Sequence, residues 1–452
     1  MQRLLSNWKK LTTGSPNRQI FSAAITVGLM TVLVKVVAAG KELVVAWRFG
    51  TGEALDAFFI ALIVPSFIFV VVAESFNAAF IPTYIRVREQ DGLEVAQRLF
   101  SGVVVWSLAL LGIITILMIA TASLYLPLLA GGFSPQKLDL TFHLICTIAP
   151  VVPLSGIVVI WGAVLNAGER FALAAISPAL TALVTILLLL ANQDWGIFAL
   201  AIGLVCGTLL EMILLGTALK RQGFSLWPKW YGFDSHLRQV VNQYAPMSAG
   251  AFLMCSTNLV DQSMAAMLSP GSVAALNYGN KVIALPISLI TTALSTAVIP
   301  YFSKMVAEEN WLGVRDTVKR YLWLVVITTV PVTGVLFLFS QPIIELLLQR
   351  GSFTAKDTYI VAQIQAMYAL QLPFYVGGVF VVRLISSMQL NQILMWAAGF
   401  NLIINICLNY LFMQWLGVKG IALSTSCVYV FSFLYVFFCA SNNLRKIADE
   451  SR

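Results

Sequence analysis

The chain has 452 residues, of which 59% are hydrophobic and only 11% charged, with a net charge of +8 and a mean hydropathy of +0.87. A soluble domain carries roughly 25% charged residues and could not bury this much apolar surface, so a water-soluble globule is excluded. The fold class expected is all-α integral membrane.

Residues 1–19 read as a polar cytoplasmic tail rather than a cleavable signal, because the first apolar run continues to Lys35 without a small-residue cleavage site. Windows of roughly 20 residues, enough to cross a hydrocarbon core of about 30 Å, then occur twelve times. They lie near 20–40, 56–80, 101–127, 140–165, 171–191, 195–218, 244–267, 276–302, 321–347, 359–387, 391–413 and 417–440. The third, eighth and tenth are long enough to tilt or protrude. Six spans fall in 20–219 and six in 244–440. The linker 220–243 carries Trp227, Trp230, Tyr231 and Phe233 beside Lys229 and Arg238, a composition suited to the membrane interface. Residues 441–452 form a second cytoplasmic tail.

Of the 28 Lys and Arg residues, nineteen fall in the two tails and the even-numbered loops, and five in the odd-numbered loops. By the positive-inside rule both termini are expected to face the cytoplasm. The same bias accounts for the net charge without nucleic acid. The six cysteines lie in apolar runs without CxxC spacing and read as small hydrophobes, and His143 and His236 form no ligand cluster.

The two halves repeat one another. Phe76-Asn77-Ala78-Ala79-Phe80-Ile81-Pro82-Thr83-Tyr84 is echoed about 218 residues later by Leu294-Ser295-Thr296-Ala297-Val298-Ile299-Pro300-Tyr301-Phe302, each Ile-Pro closing an apolar run. Ala54-Leu55-Asp56 is echoed by Ala275-Leu276-Asn277, and Gly132-Phe133-Ser134 by Ser352-Phe353-Thr354. An even number of spans per half makes the repeat parallel, giving two six-helix bundles around a central cavity, a common plan for transporters.

Ionisable side chains in a bilayer are costly and normally face a bundle interior or a wet cavity. They are Lys35, Lys41, Glu42, Asp56, Glu74, Glu211, Asp261, Lys281 and Arg383. Lys35, Lys41 and Lys281 suit a cavity for an anionic head group, with Lys41 expected to meet Asp56 or Glu74. The plainer alternative is ion pairs that fix helix packing, or snorkelling, which suffices for Arg383 near a span end. Asn401, Asn405 and Asn409 form a polar stripe at four-residue spacing, with Ser424 and Thr425 in the next span. Together with Asp261 they offer oxygens to a hard cation, or hydrogen bonds that bind helices together. No nucleophile–base pair and no phosphate-binding loop is present, so a transporter rather than an enzyme is expected.

Several stretches resemble the MurJ/MviN family of lipid II flippases, within the multidrug/oligosaccharidyl-lipid/polysaccharide exporter superfamily. These are Phe49-Gly50 to Phe59, Pro65, Glu74, Ala79-Phe80-Ile81-Pro82, Leu165-Asn166-Ala167-Gly168-Glu169-Arg170-Phe171 to Pro178, and Gly271 to Tyr278 running on to Pro286. The resemblance implies alternating access and a cavity for the diphosphate-sugar head group of an undecaprenyl-linked glycan. It places substrate contacts on Lys35, Lys41, Asp56, Glu74 and Lys281. The family's arginines are lysines here, and one expected before Glu74 is replaced by the apolar run Ile68–Val72. The resemblance puts a Na⁺ site on Asp261, Asn405, Asn409 and Thr425, with Asn409 where the family has aspartate. No cofactor is expected beyond Na⁺ or H⁺ as coupling ion. Expected partners are the lipid-linked glycan, membrane lipids and the cell-wall synthesis machinery. Many members add two helices after the twelfth span, and this chain reads as a twelve-span form. The alternatives are a flippase for another lipid-linked repeat unit, or a cation-coupled drug or metabolite exporter.

Overall fold

A computed structural model describes residues 16–168, 170–192, 194–308 and 311–450. Most of the tail 1–19, Glu169 of the Leu165–Phe171 stretch and residues 451–452 lie outside the described residues.

The apolar runs fold as helices, which satisfy every interior backbone group within the segment, as a bilayer requires. In chain order they are α1 Pro16–Phe49, α2 Glu53–Ile68, α3 Ser75–Gln90, α4 Leu93–Ala120, α5 Ala122–Leu129 and α6 Pro135–Ile148. There follow α7 Val151–Ala167, α8 Phe171–Ile176, α9 Pro178–Ala191, α10 Phe198–Arg221, α11 Ser235–Ala266 and α12 Ser272–Ala307. The last are α13 Trp311–Leu338, α14 Ser340–Leu348, α15 Ala355–Ala369, α16 Leu372–Ser387, α17 Asn391–Leu416 and α18 Val418–Glu450. Every predicted span is helical. Among the described residues nine helical segments are long and apolar enough to cross a membrane, and ten if α15 and α16, bent by 40°, count as one. The two predicted spans outside that set, the first and the seventh, lie in α1 and α11, helices of 34 and 32 residues. Each opens one half of the repeat and carries polar groups in the second half of its helix: Lys35, Lys41 and Glu42 in α1, Asn258, Asp261 and Gln262 in α11.

The Ile-Pro pairs close the apolar runs but not the helices. α3 continues through Pro82 to Gln90 and α12 through Pro300 to Ala307. Proline removes the hydrogen bond to the carbonyl four residues back; at Pro82 that carbonyl belongs to Ala78, and both residues are exposed, so nothing buried is stranded. Ahead of α3, residues Phe69–Glu74 form a π-helical turn, so that Glu53–Gln90 is one span of 38 residues.

The chain divides into two compact units. One comprises the described residues up to Val45, Ala61–Leu124 and Asp139–Ala251; the other comprises Ala46–Ile60, Tyr125–Leu138 and the described residues from Phe252 onward. In the first, Phe76, Phe80 and Tyr84 of α3 pack with Leu99 and Val103 of α4, Ile160 and Val164 of α7, and Leu215 and Leu219 of α10. In the second, Val314 of α13, Phe380 and Leu384 of α16 and Val436 of α18 form a comparable cluster.

Candidate functional site

In the first unit, Lys35 is exposed on α1 beside exposed Val32 and Val36. A charge costs several kcal/mol in hydrocarbon, so that helix face meets water or an interface. Lys41 pairs with its chain neighbour Glu42 at 3.0 Å, where a partner from the second span was expected. Glu74 is exposed at the end of the π-helical turn. The extra residue of such a turn rotates the side chains that follow, and π-turns recur at functional positions.

In the second unit, Asp56 is 1% exposed and its carboxylate is fully engaged. Oδ2 accepts from Lys137 Nζ at 3.0 Å and from the Gly271 N–H at 2.7 Å, and Oδ1 from the Ala274 N–H at 2.8 Å. The two amides belong to the residue just before α12 and to its first turn, so Asp56 caps that helix from another segment and meets its positive end. Lys137 is also buried, with Nζ 3.9 Å from the Phe133 ring. Neighbouring contacts stitch the same segment down. Ser352 N–H donates to the Trp47 carbonyl at 2.8 Å, and the Thr51 hydroxyl donates to Asp357, which with Thr354 forms a capping box on α15. Gly271, at φ +88°, lies so close to the Thr51 carbonyl that no Cβ would fit. Asp56 thus serves as a helix cap and ion-pair partner in this structure, and a small cleft of about 170 Å³ opens beside it, lined by Glu53, Ser134 and Ser269 among others.

Lys281 of α12 lies over the Phe59 ring at 4.7 Å and within 6.0 Å of Tyr278. The rings are themselves packed edge to face. The ring attracts the ammonium and orients it, which suits recognition of an anion.

Asp261 of α11, 7% exposed, gathers the predicted cation set. It accepts from Asn405 Nδ2 at 2.9 Å and Asn409 Nδ2 at 2.6 Å, both from α17, and from the Thr425 hydroxyl of α18 at 3.1 Å. Among the described residues, Asn409 Oδ1 and Ser424 Oγ are buried without a hydrogen-bond partner. Since amide O and N atoms are assigned by their surroundings, rotating the two amides would turn both Oδ1 atoms toward the carboxylate. A monovalent hard cation would then find one carboxylate and three neutral oxygens, so the residues fit such an ion. Asn401 of the same stripe bonds instead to Ser432 at 3.0 Å.

Lys137, the partner of Asp56, and Phe59, the ring beside Lys281, are neighbours that sequence reasoning passed over. Lys137 is one of the five Lys and Arg residues of the odd-numbered loops, and it stands three residues after the repeated Gly132-Phe133-Ser134. Arg383, for which snorkelling suffices, is exposed on α16.

Long apolar helices arranged in two compact units define a polytopic membrane protein. The profile described as lipid II flippase MurJ matches residues 45–450, and the chain belongs to that family. A Synechocystis protein described as "Probable lipid II flippase MurJ" is 26% identical over 437 residues, covering 93% of this chain and 81% of its own. A Vibrio cholerae protein of the same description is 25% identical over 430 residues, covering 91% and 81%. The fold is similar to a solved structure of lipid II flippase MurJ in an inward closed conformation, with TM-score 0.79, 24% identity and coverage of 94% and 90%. It is also similar to an inward-facing MATE multidrug transporter, with TM-score 0.77, 14% identity and coverage of 95% and 100%.

Proposed function

We propose that this chain carries lipid II, an undecaprenyl-diphosphate-linked glycan, from the cytoplasmic to the outer leaflet of a bacterial plasma membrane. The observation that carries this reading is the family match across residues 45–450. Lys35, Lys41 and Lys281 would supply positive charge to the diphosphate as point charges. Asp261, Asn405, Asn409 and Thr425 would hold Na⁺, or Asp261 a proton, whose gradient biases one transport state through differential affinity. The excess of Lys and Arg in the tails and even-numbered loops supports cytoplasmic termini. The cell-wall synthesis machinery is the partner this role calls for.

The test is complementation of a bacterium depleted of its own lipid II flippase, with membrane expression checked by blot. Rescue by the chain, and its loss in the Lys41→Ala/Lys281→Ala variant at equal expression, is the expected result. Rescue by both would remove the lysines from the head-group site. Failure of the unmodified chain despite good expression would overturn lipid II as substrate. It would favour another lipid-linked repeat unit, a reading the lysines also support, since they give up the bidentate geometry of arginine.

A further inference from the structure

The first unit contains a buried carboxylate that the transport reading does not use. Glu211 of α10 is 7% exposed. Its Oε1 accepts from the Ser177 hydroxyl at 2.8 Å and its Oε2 from the Thr181 hydroxyl at 3.2 Å. α10 packs against α9 and α7. The helices α7, α8 and α9 carry no charged or titratable side chain, and α10 itself adds only the Cys206 thiol and, near its end, Lys220 and Arg221. Those two cations stand nine and ten residues on, about 14 Å along the helix. Among the described residues of these helices the acid therefore has only neutral donors, Ser177 and Thr181.

Small residues place it there. Gly203, Gly207 and Glu211 follow one another at four-residue spacing on α10, facing Thr185, Thr181 and Ser177 in antiparallel order. A Cβ at Gly203 would lie 2.8 Å from the Thr185 Cα, and one at Gly207 would overlap Thr181, so the backbones touch and Glu211 is pressed into the same seam.

Ser177 gives the acid a second partner state. It stands at the break between α8 and α9, just before Pro178. Because proline has no N–H, the Ala174 carbonyl lacks its ordinary helical donor. Ser177 Oγ lies 3.2 Å from that carbonyl oxygen and 2.8 Å from the carboxylate, but its hydroxyl has one hydrogen to give. We infer that Glu211 is a reversible proton-binding site of the first unit. In the ionised state Ser177 donates to Glu211. When a proton from water binds Oε1, the new carboxyl O–H donates to Ser177 Oγ, and the Ser177 hydrogen turns to the Ala174 carbonyl. Loss of the proton to water reverses each step. In the ionised state the Ala174 carbonyl goes without a donor; the protonated state supplies one and so adds a hydrogen bond at the break in the span.

The test does not depend on what is transported. Infrared difference spectra of the full-length protein in lipid bilayers would be recorded between about pH 9 and about pH 5. A carboxylic-acid carbonyl band should appear as pH falls and be missing in Glu211→Gln, with folding checked by circular dichroism. Ser177→Ala should keep the band and shift its frequency, because the acceptor of the O–H is lost; it also covers the case in which Glu211→Gln fails to fold. Spectra of Glu211→Gln identical to the unmodified protein, or of Ser177→Ala without a frequency shift, would overturn the assignment. So would a band displaced when choline is replaced by sodium at constant ionic strength, which would make the site a sodium site.

Discussion

Lys137→Met is the most discriminating perturbation of the second unit, because it removes a charge and keeps most of the side-chain volume. The side chains of Lys137 and Asp56 are 7% and 2% exposed, so the magnitude for a buried pair applies rather than that for a surface pair. Removing one partner of a buried pair costs about 3–5 kcal/mol. Asp56 keeps its two amide donors, at 2.7 and 2.8 Å, which places the variant near the lower end, about 3 kcal/mol. Asp56→Asn strands the ammonium instead and turns an amide N–H toward groups that are already donors. The double variant Asp56→Asn/Lys137→Met strands no charge, so its loss should be smaller than the sum of the single losses by about 1–3 kcal/mol. Unfolding in a graded series of sodium dodecyl sulfate, followed by loss of helical circular dichroism, measures all three. The reasoning fails if Lys137→Met loses less than about 0.5 kcal/mol, or if the single losses simply add.

Phe59→Leu removes the ring under Lys281. A cation–π contact of about 0.5–2 kcal/mol predicts an apparent substrate affinity weakened about two- to thirtyfold in a reconstituted flipping assay, and an unchanged affinity would detach Lys281 from the substrate. Asn409→Leu should abolish any rise in melting temperature on replacing choline chloride with sodium chloride, and the same rise in variant and unmodified protein would speak against a cation at Asp261. Gly207→Val should force α9 and α10 apart and destabilise by about 1–3 kcal/mol. Gly112→Ala, which has nothing within 4 Å of its new Cβ, should be neutral or slightly stabilising in the same melting assay.

Which parts of this protein can be read from its sequence follows from the range of the forces involved. Span positions come from local hydropathy, and every predicted span is helical. The Asp261 cluster was legible because Asn405 and Asn409 share a helix face through local spacing, and because the family resemblance pointed to Thr425. The surroundings of Asp56 were not, since two of its three donors are backbone amides and the third is 81 residues away. The repeat itself held a partial signal. Lys137 follows Ser134 by three residues and Asp357 follows Thr354 by three, so the echo of Gly132-Phe133-Ser134 in Ser352-Phe353-Thr354 makes them equivalent positions with opposite charge. Their roles are opposite as well: Lys137 donates to Asp56, whereas Asp357 accepts from Thr51. Asp56 and Asn277, equivalent in the other echo, diverge in the same way. Asn277 Nδ2 donates to Gln262 at 2.8 Å and to the Val273 carbonyl at 2.9 Å, where Asp56 only accepts. Similarity between the halves therefore conserves position while the hydrogen-bonding role inverts, and an amide that serves at Asn277 cannot serve at Asp56.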